Sequence, residues 1–254
     1  MAAPLVRPIV LSVYEVNGQR VLMPERMARS TPDMKKAMYG IRAEVEAAGG
    51  KFALSDLFRS YDMQLQAHLD FSSGKKKAFS PPPGASMHES GRAFDVDLKG
   101  LKMSLADFWQ IANKLGVVPI IAQPDPKASE AWHFECRGSH QLVYDYYKAG
   151  KGTNFSKPAA AMAASAIVAA GLKHDLYVGK EEAACVQSGL IRLGQDIGNI
   201  DGEIGPKTSG VLSSLGIAGS TRAEQIQGLD ALLQQKFPDE FFDKVAEEDA
   251  HLVH

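Results

Sequence analysis

Residues 86–95 read SMHESGRAFD, and the tetrapeptide EAWH begins 35 residues after Asp95. The two segments contain His88, Asp95 and His133. Two histidines and one carboxylate are a ligand set typical of catalytic zinc, which keeps water in its fourth position. A single histidine rarely binds a metal, but this spaced set predicts a zinc site formed by His88, Asp95 and His133.

The residues that follow Gly91 have the alternation of a strand. Residues 93–98 place one apolar face toward a core and the carboxylates of Asp95 and Asp97 on the opposite face. Gly91 permits a tight turn between the first two ligands. Asp97 is expected either to support the site from behind the ligands or simply to be solvated.

Glu130 precedes His133 by three residues. A carboxylate near the metal that does not bind it can accept a proton from a zinc-bound water, whose pKa falls to about 7. The pattern therefore predicts Glu130 as the general base.

Outward from these motifs, helix and strand signals alternate. Helices are predicted after Thr31 and Ser60 and from Ser104, where the capping residues precede apolar positions at helical spacing. Strands are predicted near residues 52–54, 93–98, 117–122 and 132–134, and a closing helix contains Tyr144, Tyr146 and Tyr147. This pattern indicates an α+β domain over residues 1–150.

The polar, glycine-containing segment 149–154 is typical of a linker, and the sequence after it is almost wholly helical in pattern. We therefore predict a second, small all-α domain over residues 157–254. All predicted catalytic groups precede this segment, so the helical part is expected to be separable.

Composition excludes several functions. The 254 residues carry a formal net charge of −2, which does not favour a nucleic-acid binder. The only two cysteines, Cys136 and Cys185, fall in different predicted domains and are expected to be free thiols. No signal peptide and no membrane span are predicted, because the alanine-rich stretch 159–170 is too short to cross a bilayer.

The two metal motifs resemble those of the D-Ala-D-Ala carboxypeptidase family of zinc peptidases, in the same clan as lysostaphin-type enzymes and the hedgehog domain. The resemblance covers most of residues 35–148 and implies a small antiparallel sheet with flanking helices. It assigns His88, Asp95 and His133 to Zn²⁺ and Glu130 to the general base. It also implies hydrolysis of peptide stems in peptidoglycan.

An upstream segment of the family, Tyr-Arg-Ser followed by Gln, corresponds here to Phe58, Arg59 and Ser60 with Gln64 beyond. The resemblance implies that Arg59 binds a substrate carboxylate or carbonyl oxygen, a role that suits a permanent cation with paired donors. Gln64 is a candidate substrate-binding residue, and Ser86 is expected either to touch substrate or to shape its loop. This chain departs from the family at Phe58, which replaces Tyr. Ala131 stands where carboxypeptidase members often have Pro.

The C-terminal part resembles the three-helix peptidoglycan-binding domain. The match is carried by the turn DGEIGPKT at residues 201–208 and by the preceding helix QSGLIRLG. The resemblance implies that Asp201 and Thr208 contribute to wall binding. The aromatic-Gln ending of the family's last helix is absent here.

Together these features predict an enzyme that cleaves either the D-Ala-D-Ala or the L-Ala-D-Glu bond, and the Trp of the second motif favours the carboxypeptidase. Without an export signal, such an enzyme would reach the wall as a phage endolysin or as a tail- or secretion-delivered hydrolase, which would give it a tail or secretion partner. The alternative is a non-catalytic wall-binding or phage-tail protein on a peptidase scaffold. The presence of Glu130 favours the enzyme, because a decayed site would be expected to lose its base first.

Overall fold

The structure, a computed structural model, describes residues 5–217 and 221–251. The described residues form an α+β fold, which confirms the predicted fold class. Its strands are β1 (Leu11–Val16), β2 (Gln19–Leu22), β3 (Ala53–Asp56), β4 (Ala93–Val96), β5 (Val118–Pro119) and β6 (His133–Glu135). Its α-helices are α1 (Pro32–Ala47), α2 (Tyr61–Ser72), α3 (Leu105–Lys114), α4 (Gln141–Lys148), α5 (Pro158–Ala169), α6 (Glu181–Arg192), α7 (Pro206–Ser214) and α8 (Arg222–Lys236).

The six strands of this region form one sheet in the order β2-β1-β3-β4-β6-β5. The sheet is mixed and not wholly antiparallel as expected, since β1 and β3 run parallel while the other four neighbouring pairs are antiparallel. The chain reaches β3 from the β1–β2 hairpin through the crossover helix α1, and such a connection permits parallel pairing. The β1–β2 hairpin, which the sequence analysis did not predict, turns at Asn17 and Gly18. Both residues have positive φ, at 52° and 76°, as a tight turn between twisted strands requires.

Local signals predicted the helix starts of the N-terminal part. Pro32 opens α1, and the predicted apolar stripe along this helix is fully buried. The side chains of Ser60 and Ser104 accept hydrogen bonds from Met63 N at 3.3 Å and from Asp107 N at 3.1 Å, so both cap their helices as predicted.

The core of the sheet is aromatic. Phe94 on β4 stacks on Phe134 of β6 with ring centroids 5.7 Å apart, and Phe52 meets Phe94 edge to face at 5.5 Å. Because alternate residues of a strand point to opposite faces, Asp95 and His133 then lie on the other side of the sheet. The core thus fixes the face on which the candidate site is built.

The strand predicted over residues 117–122 is much shorter than expected, since only Val118 and Pro119 pair with β6. Proline has no N–H to continue the ladder, and the chain bends away after it. Ile120 consequently contributes to the wall of a cavity instead of a strand.

Helices α4–α8 share a second hydrophobic cluster, which includes Val143, Tyr146 and Tyr147 from α4. The predicted linker 149–154 packs on this cluster: the Asn154 side chain accepts a hydrogen bond from Tyr147 Oη at 2.6 Å and donates one to Ile200 O at 2.7 Å. The linker segment is therefore held by contacts with the helical part. The division into domains at 1–150 and 157–254 stays a prediction, and both ranges extend over residues outside those described.

The segment after α8 returns to the N-terminal part. Glu240 accepts hydrogen bonds from Ser139 N at 2.6 Å and from Arg192 Nη2 at 2.7 Å, and it lies 3.2 Å from Arg92 Nη2. Further along, Lys35 of α1 pairs with Asp243 at 2.9 Å. We call residues 237–249 the C-terminal clasp, because they connect the two parts through buried charges. Among the described residues, no helix combines the length and the apolar character needed to cross a membrane.

Candidate metal centre

His88 lies in a short 3₁₀ turn, Met87–Ser90, that Gly91 ends with a positive φ of 68°. A side chain at Gly91 would collide with the backbone of Ser30, whose Cα would be 2.9 Å from a Cβ. The His88 ring is buried, and its Nδ1–H donates to Leu57 O at 2.6 Å. That bond fixes the tautomer and directs the lone pair of Nε2 toward the other two predicted ligands.

Asp95 and His133 are direct partners across the β4–β6 ladder, so their side chains emerge side by side. Asp95 Oδ1 lies 3.2 Å from His88 Nε2 and 3.0 Å from His133 Nδ1, and the two nitrogens are 3.2 Å apart. All three residues are at most 8% exposed. The structure therefore brings together the three side chains predicted to bind zinc.

The donor set fits zinc. Four ligands around Zn²⁺ at the usual bond lengths lie about 3.3 Å from one another, close to the spacing of these three atoms. The outer ring nitrogen of each histidine faces an acceptor. For His88 this acceptor is Leu57 O, and for His133 it is Glu135 Oε1 at 3.5 Å. Such outer contacts are typical of metal-binding histidines, since they leave the inner nitrogens unprotonated.

The electrostatics of the centre favour a bound cation. Burial disfavours the charged form of Asp95, but the adjacent His88 and His133 outweigh it and hold the pKa of Asp95 well below its usual value. Burial lowers the pKa of His133, but hydrogen bonds and charges from Asp95 and Glu135 raise it to about 10. The centre thus attracts positive charge, which a metal ion can supply in place of a proton.

Glu130 stands next to this centre without a partner of its own. Its Oε1 is buried and has no hydrogen-bond partner, and its backbone has a positive φ of 67°, which is unusual for a residue other than glycine. Burial raises the pKa of Glu130, His133 lowers it and Asp95 raises it further. A half-buried, unpaired carboxylate beside three candidate metal ligands can accept a proton from a water there.

Arg59 lies against the same centre. Its Nη2 is 2.6 Å from Asp56 Oδ2 and 3.6 Å from Asp95 Oδ2, and its Nη1 donates to Gln64 Oε1 at 3.1 Å. Gln64 is fully buried and also donates to Ser80 Oγ. Gln64 therefore positions Arg59, and direct contact between Gln64 and a substrate stays a prediction.

These groups open into one cavity of about 490 Å³. The lining includes the three ligands, Glu130, Arg59 and Ser86, so it collects the predicted catalytic residues and one predicted substrate-binding residue. The lining also includes Ser156, Lys157, Ala159 and Ala160 around the start of α5. The cavity therefore lies between the N-terminal part and the helical part.

Several residues of the site were not predicted. Glu135 binds both His133 and Arg137, whose Nε donates to Glu135 Oε2 at 2.7 Å. The sequence did contain a signal for Glu135. This residue lies two residues after His133 on a strand, so the two side chains must share a face of the sheet. Asp56 and Lys76 carried no such signal, since only the folded chain brings them to the centre.

The remaining predicted residues lie elsewhere. Asp201 Oδ1 accepts hydrogen bonds from Gln187 Nε2 at 2.8 Å and from Glu203 N at 2.9 Å, which stabilise the turn before α7. Thr208 is buried on α7, and neither it nor Asp201 lines the cavity beside the candidate metal ligands. Asp97 pairs with Arg20 Nη2 at 2.7 Å, away from the ligands. Wall binding by Asp201 and Thr208 stays a prediction.

No family model and no curated protein match this chain. Among solved structures, it is similar to the LdcB LD-carboxypeptidase, at 21% identity and a TM-score of 0.41 over 52% of this chain and 67% of that one. It is also similar to DacB from Streptococcus pneumoniae, at 20% identity and a TM-score of 0.36 over 58% and 91% of the two chains. A second DacB structure, an L,D-carboxypeptidase, gives 21% identity and a TM-score of 0.33 over 52% and 84%. These similarities are too distant to assign an activity, which has to be argued from the site.

Proposed function

We propose that this chain is a zinc-dependent peptidase that hydrolyses an amide bond in the stem peptides of peptidoglycan. One observation carries the proposal. The buried cluster of His88, Asp95 and His133 shares a cavity with the unpartnered carboxylate of Glu130. The substrate class comes from the motifs of residues 86–95 and 130–133, which resemble those of peptidoglycan peptidases.

Zinc bound at such a centre lowers the pKa of its water to about 7 and polarises a carbonyl group. Glu130 accepts the proton of the attacking water and returns it to the leaving amine. Burial raises the pKa of Glu130, which makes its protonated form a better donor to the leaving amine than an exposed carboxyl would be.

Arg59 supplies the fixed positive charge of the proposed site. Asp56 and Gln64 hold its guanidinium on either side, so its direction is set before substrate arrives. It would donate to the carbonyl oxygen of the scissile amide or to a terminal carboxylate. Contact with the carbonyl oxygen suits an L-Ala-D-Glu endopeptidase, whereas contact with a terminal carboxylate suits a D-Ala-D-Ala carboxypeptidase. We propose one of these two activities.

The test is digestion of purified muropeptides by the zinc-loaded chain, followed by mass spectrometry. Loss of one terminal alanine would identify a carboxypeptidase, and separation of stem from its L-alanine would identify an endopeptidase. Glu130→Gln is the matched control, because it keeps the size of the side chain and removes the base. Intact muropeptides after prolonged digestion would refute the proposal. Delivery to the wall as a phage lysin or an injected hydrolase stays a prediction from the sequence.

A further inference from the structure

The catalytic cavity contains more positive charge than the proposed reaction uses. Two of its cations are neutralised by neighbouring acids: Arg59 pairs with Asp56, and Arg137 pairs with Glu135. Lys76 and Lys157 also line the cavity, but neither has an ion pair or side-chain hydrogen bond with any described residue. An unpaired cation in a cleft is a feature that a complementary anion would stabilise.

The two lysines come from different parts of the chain. Lys76 follows α2 in the peptidase part and is half-buried, whereas Lys157 is the exposed residue that precedes α5 in the helical part. Both lysines line the same cavity as the predicted metal ligands, so a molecule bound there can approach both ammonium groups.

Arg137 adds a fixed hydrogen-bond donor to the lining of the cavity, although its charge is balanced by Glu135. Its Nε is held by Glu135, its Nη1 donates to Gln141 Oε1 at 3.1 Å, and its guanidinium lies 5.5 Å from the ring centroid of Tyr144. These contacts fix the plane of the guanidinium, so the group is preorganised for a planar anion such as a carboxylate.

We propose that Lys76, Lys157 and Arg137 form a second subsite that binds a carboxylate of the substrate remote from the scissile bond. This inference rests on the proposed function and narrows its substrate to acidic stem peptides, for example those with a free α-carboxylate on an isoglutamyl residue. Peptides in which that group is amidated are poorer substrates. Through Lys157, the helical part contributes directly to substrate selection.

The experiment compares two synthetic stem peptides of equal length, one with D-isoglutamate and one with D-isoglutamine. Both kcat/KM and the dissociation constant are measured with the zinc-loaded full chain, the latter by calorimetry on the Glu130→Gln protein. The variants are Lys157→Gln and Lys76→Gln, singly and together. Lys114→Gln is the control, because it removes an exposed lysine from α3 outside the cavity.

We expect the parent protein to prefer the acidic peptide. The preference should fall about threefold in each single variant and about tenfold in the double variant, as expected for partly exposed ion pairs, and stay at the parent value in Lys114→Gln. Equal kcat/KM for the two peptides, or a preference that survives in the double variant, would overturn the subsite. If neither peptide is cleaved, the hydrolase proposal fails, and the ratio of the two dissociation constants alone decides the subsite.

Discussion

At the scale of single residues, the orientation of the His133 ring depends on its contact with Glu135. Glu135 faces Nε2 of His133, while Nδ1 points to the other ligands. Removal of such an outer partner typically weakens metal binding 10- to 100-fold, so Glu135→Ala should raise the zinc dissociation constant by about that factor. Competition with a chromophoric chelator measures it.

The matched control is Glu25→Ala, which removes an exposed carboxylate far from the centre. It should leave zinc affinity at the parent value. If Glu135→Ala also bound zinc as tightly as the parent, the ring of His133 would be held by the sheet alone.

Replacement of Glu130 is expected to have the opposite effect, because it should reduce turnover and leave zinc binding unchanged. Because its carboxylate has no partner and is not part of the ligand cluster, Glu130→Gln should keep zinc while kcat falls by about 10²–10⁴. Metal analysis and steady-state kinetics on the same preparation separate the two effects. Loss of zinc together with activity would make Glu130 a ligand, and an unchanged kcat would require another base.

The ligands could be read from the sequence because their spacing encodes the geometry. A turn ended by Gly91 and a strand that alternates after it suffice to place His88 and Asp95 near each other. The positions of Asp56 and Lys76 depend on how β3 and the loop after α2 approach the centre, and that approach is set by tertiary packing. Such contacts leave no periodic signal.

At the scale of secondary-structure elements, the capped helices and the strands β3, β4 and β6 were predictable, whereas the β1–β2 hairpin and the short length of β5 were not. Ser60 and Ser104 act within one helical turn, so the local sequence contains the whole interaction. The brief β5 and the β1–β2 hairpin depend on their neighbours in the sheet for most of their hydrogen bonds. Pro119 marked the end of β5, but the apolar run beyond it concealed that signal.

Helix α5 is the element for which the structure changes the expectation most. Met162, Ala163 and Ala166 on this helix pack against Met87, which precedes His88, and against Ala93, two residues before Asp95. A separable helical domain would leave the metal centre intact when removed, whereas this packing indicates that α5 supports it.

Truncation after Asn154 should therefore lower zinc affinity and abolish most activity on soluble muropeptides as well as on intact sacculi. The truncation exposes the apolar side of the metal-binding turn and removes one wall of the cavity. Circular dichroism checks that the fragment is folded, and kinetics on both substrates compare it with the full chain. A folded fragment that cleaves soluble muropeptides at the parent rate would show instead that the helical part is separable.

At the scale of the whole molecule, the C-terminal clasp joins the two parts through buried charge. Glu240 is 3% exposed and faces Arg92 and Arg192, so Glu240→Ala leaves buried guanidinium groups short of a partner. Loss of one partner of a buried pair costs about 3–5 kcal/mol, and the free energy of unfolding should fall by about that amount. Urea denaturation measures the change, with the exposed Glu247→Ala as control.

The contacts of Glu240 with the two arginines also make the stability of the fold depend on pH. Burial raises the pKa of Glu240, but Arg92 and Arg192 outweigh it and the pKa lies below its usual value. Its contribution to stability is therefore complete above the unfolded-state pKa of about 4.3 and is lost as the pH falls through the lower folded value. Below about pH 4, the free energy of unfolding should therefore fall less steeply with pH in Glu240→Ala than in the parent. The same pH dependence in both proteins would contradict the pairing.

The most direct test of the zinc centre is the zinc content of the purified chain and of His88→Ala, measured by elemental analysis after dialysis. His68→Ala is the matched control, since its ring contacts Ser80 O outside the ligand cluster. The account predicts about one zinc per chain in the parent and in His68→Ala and little in His88→Ala, because two ligands alone bind zinc weakly. Full zinc occupancy in His88→Ala would contradict it.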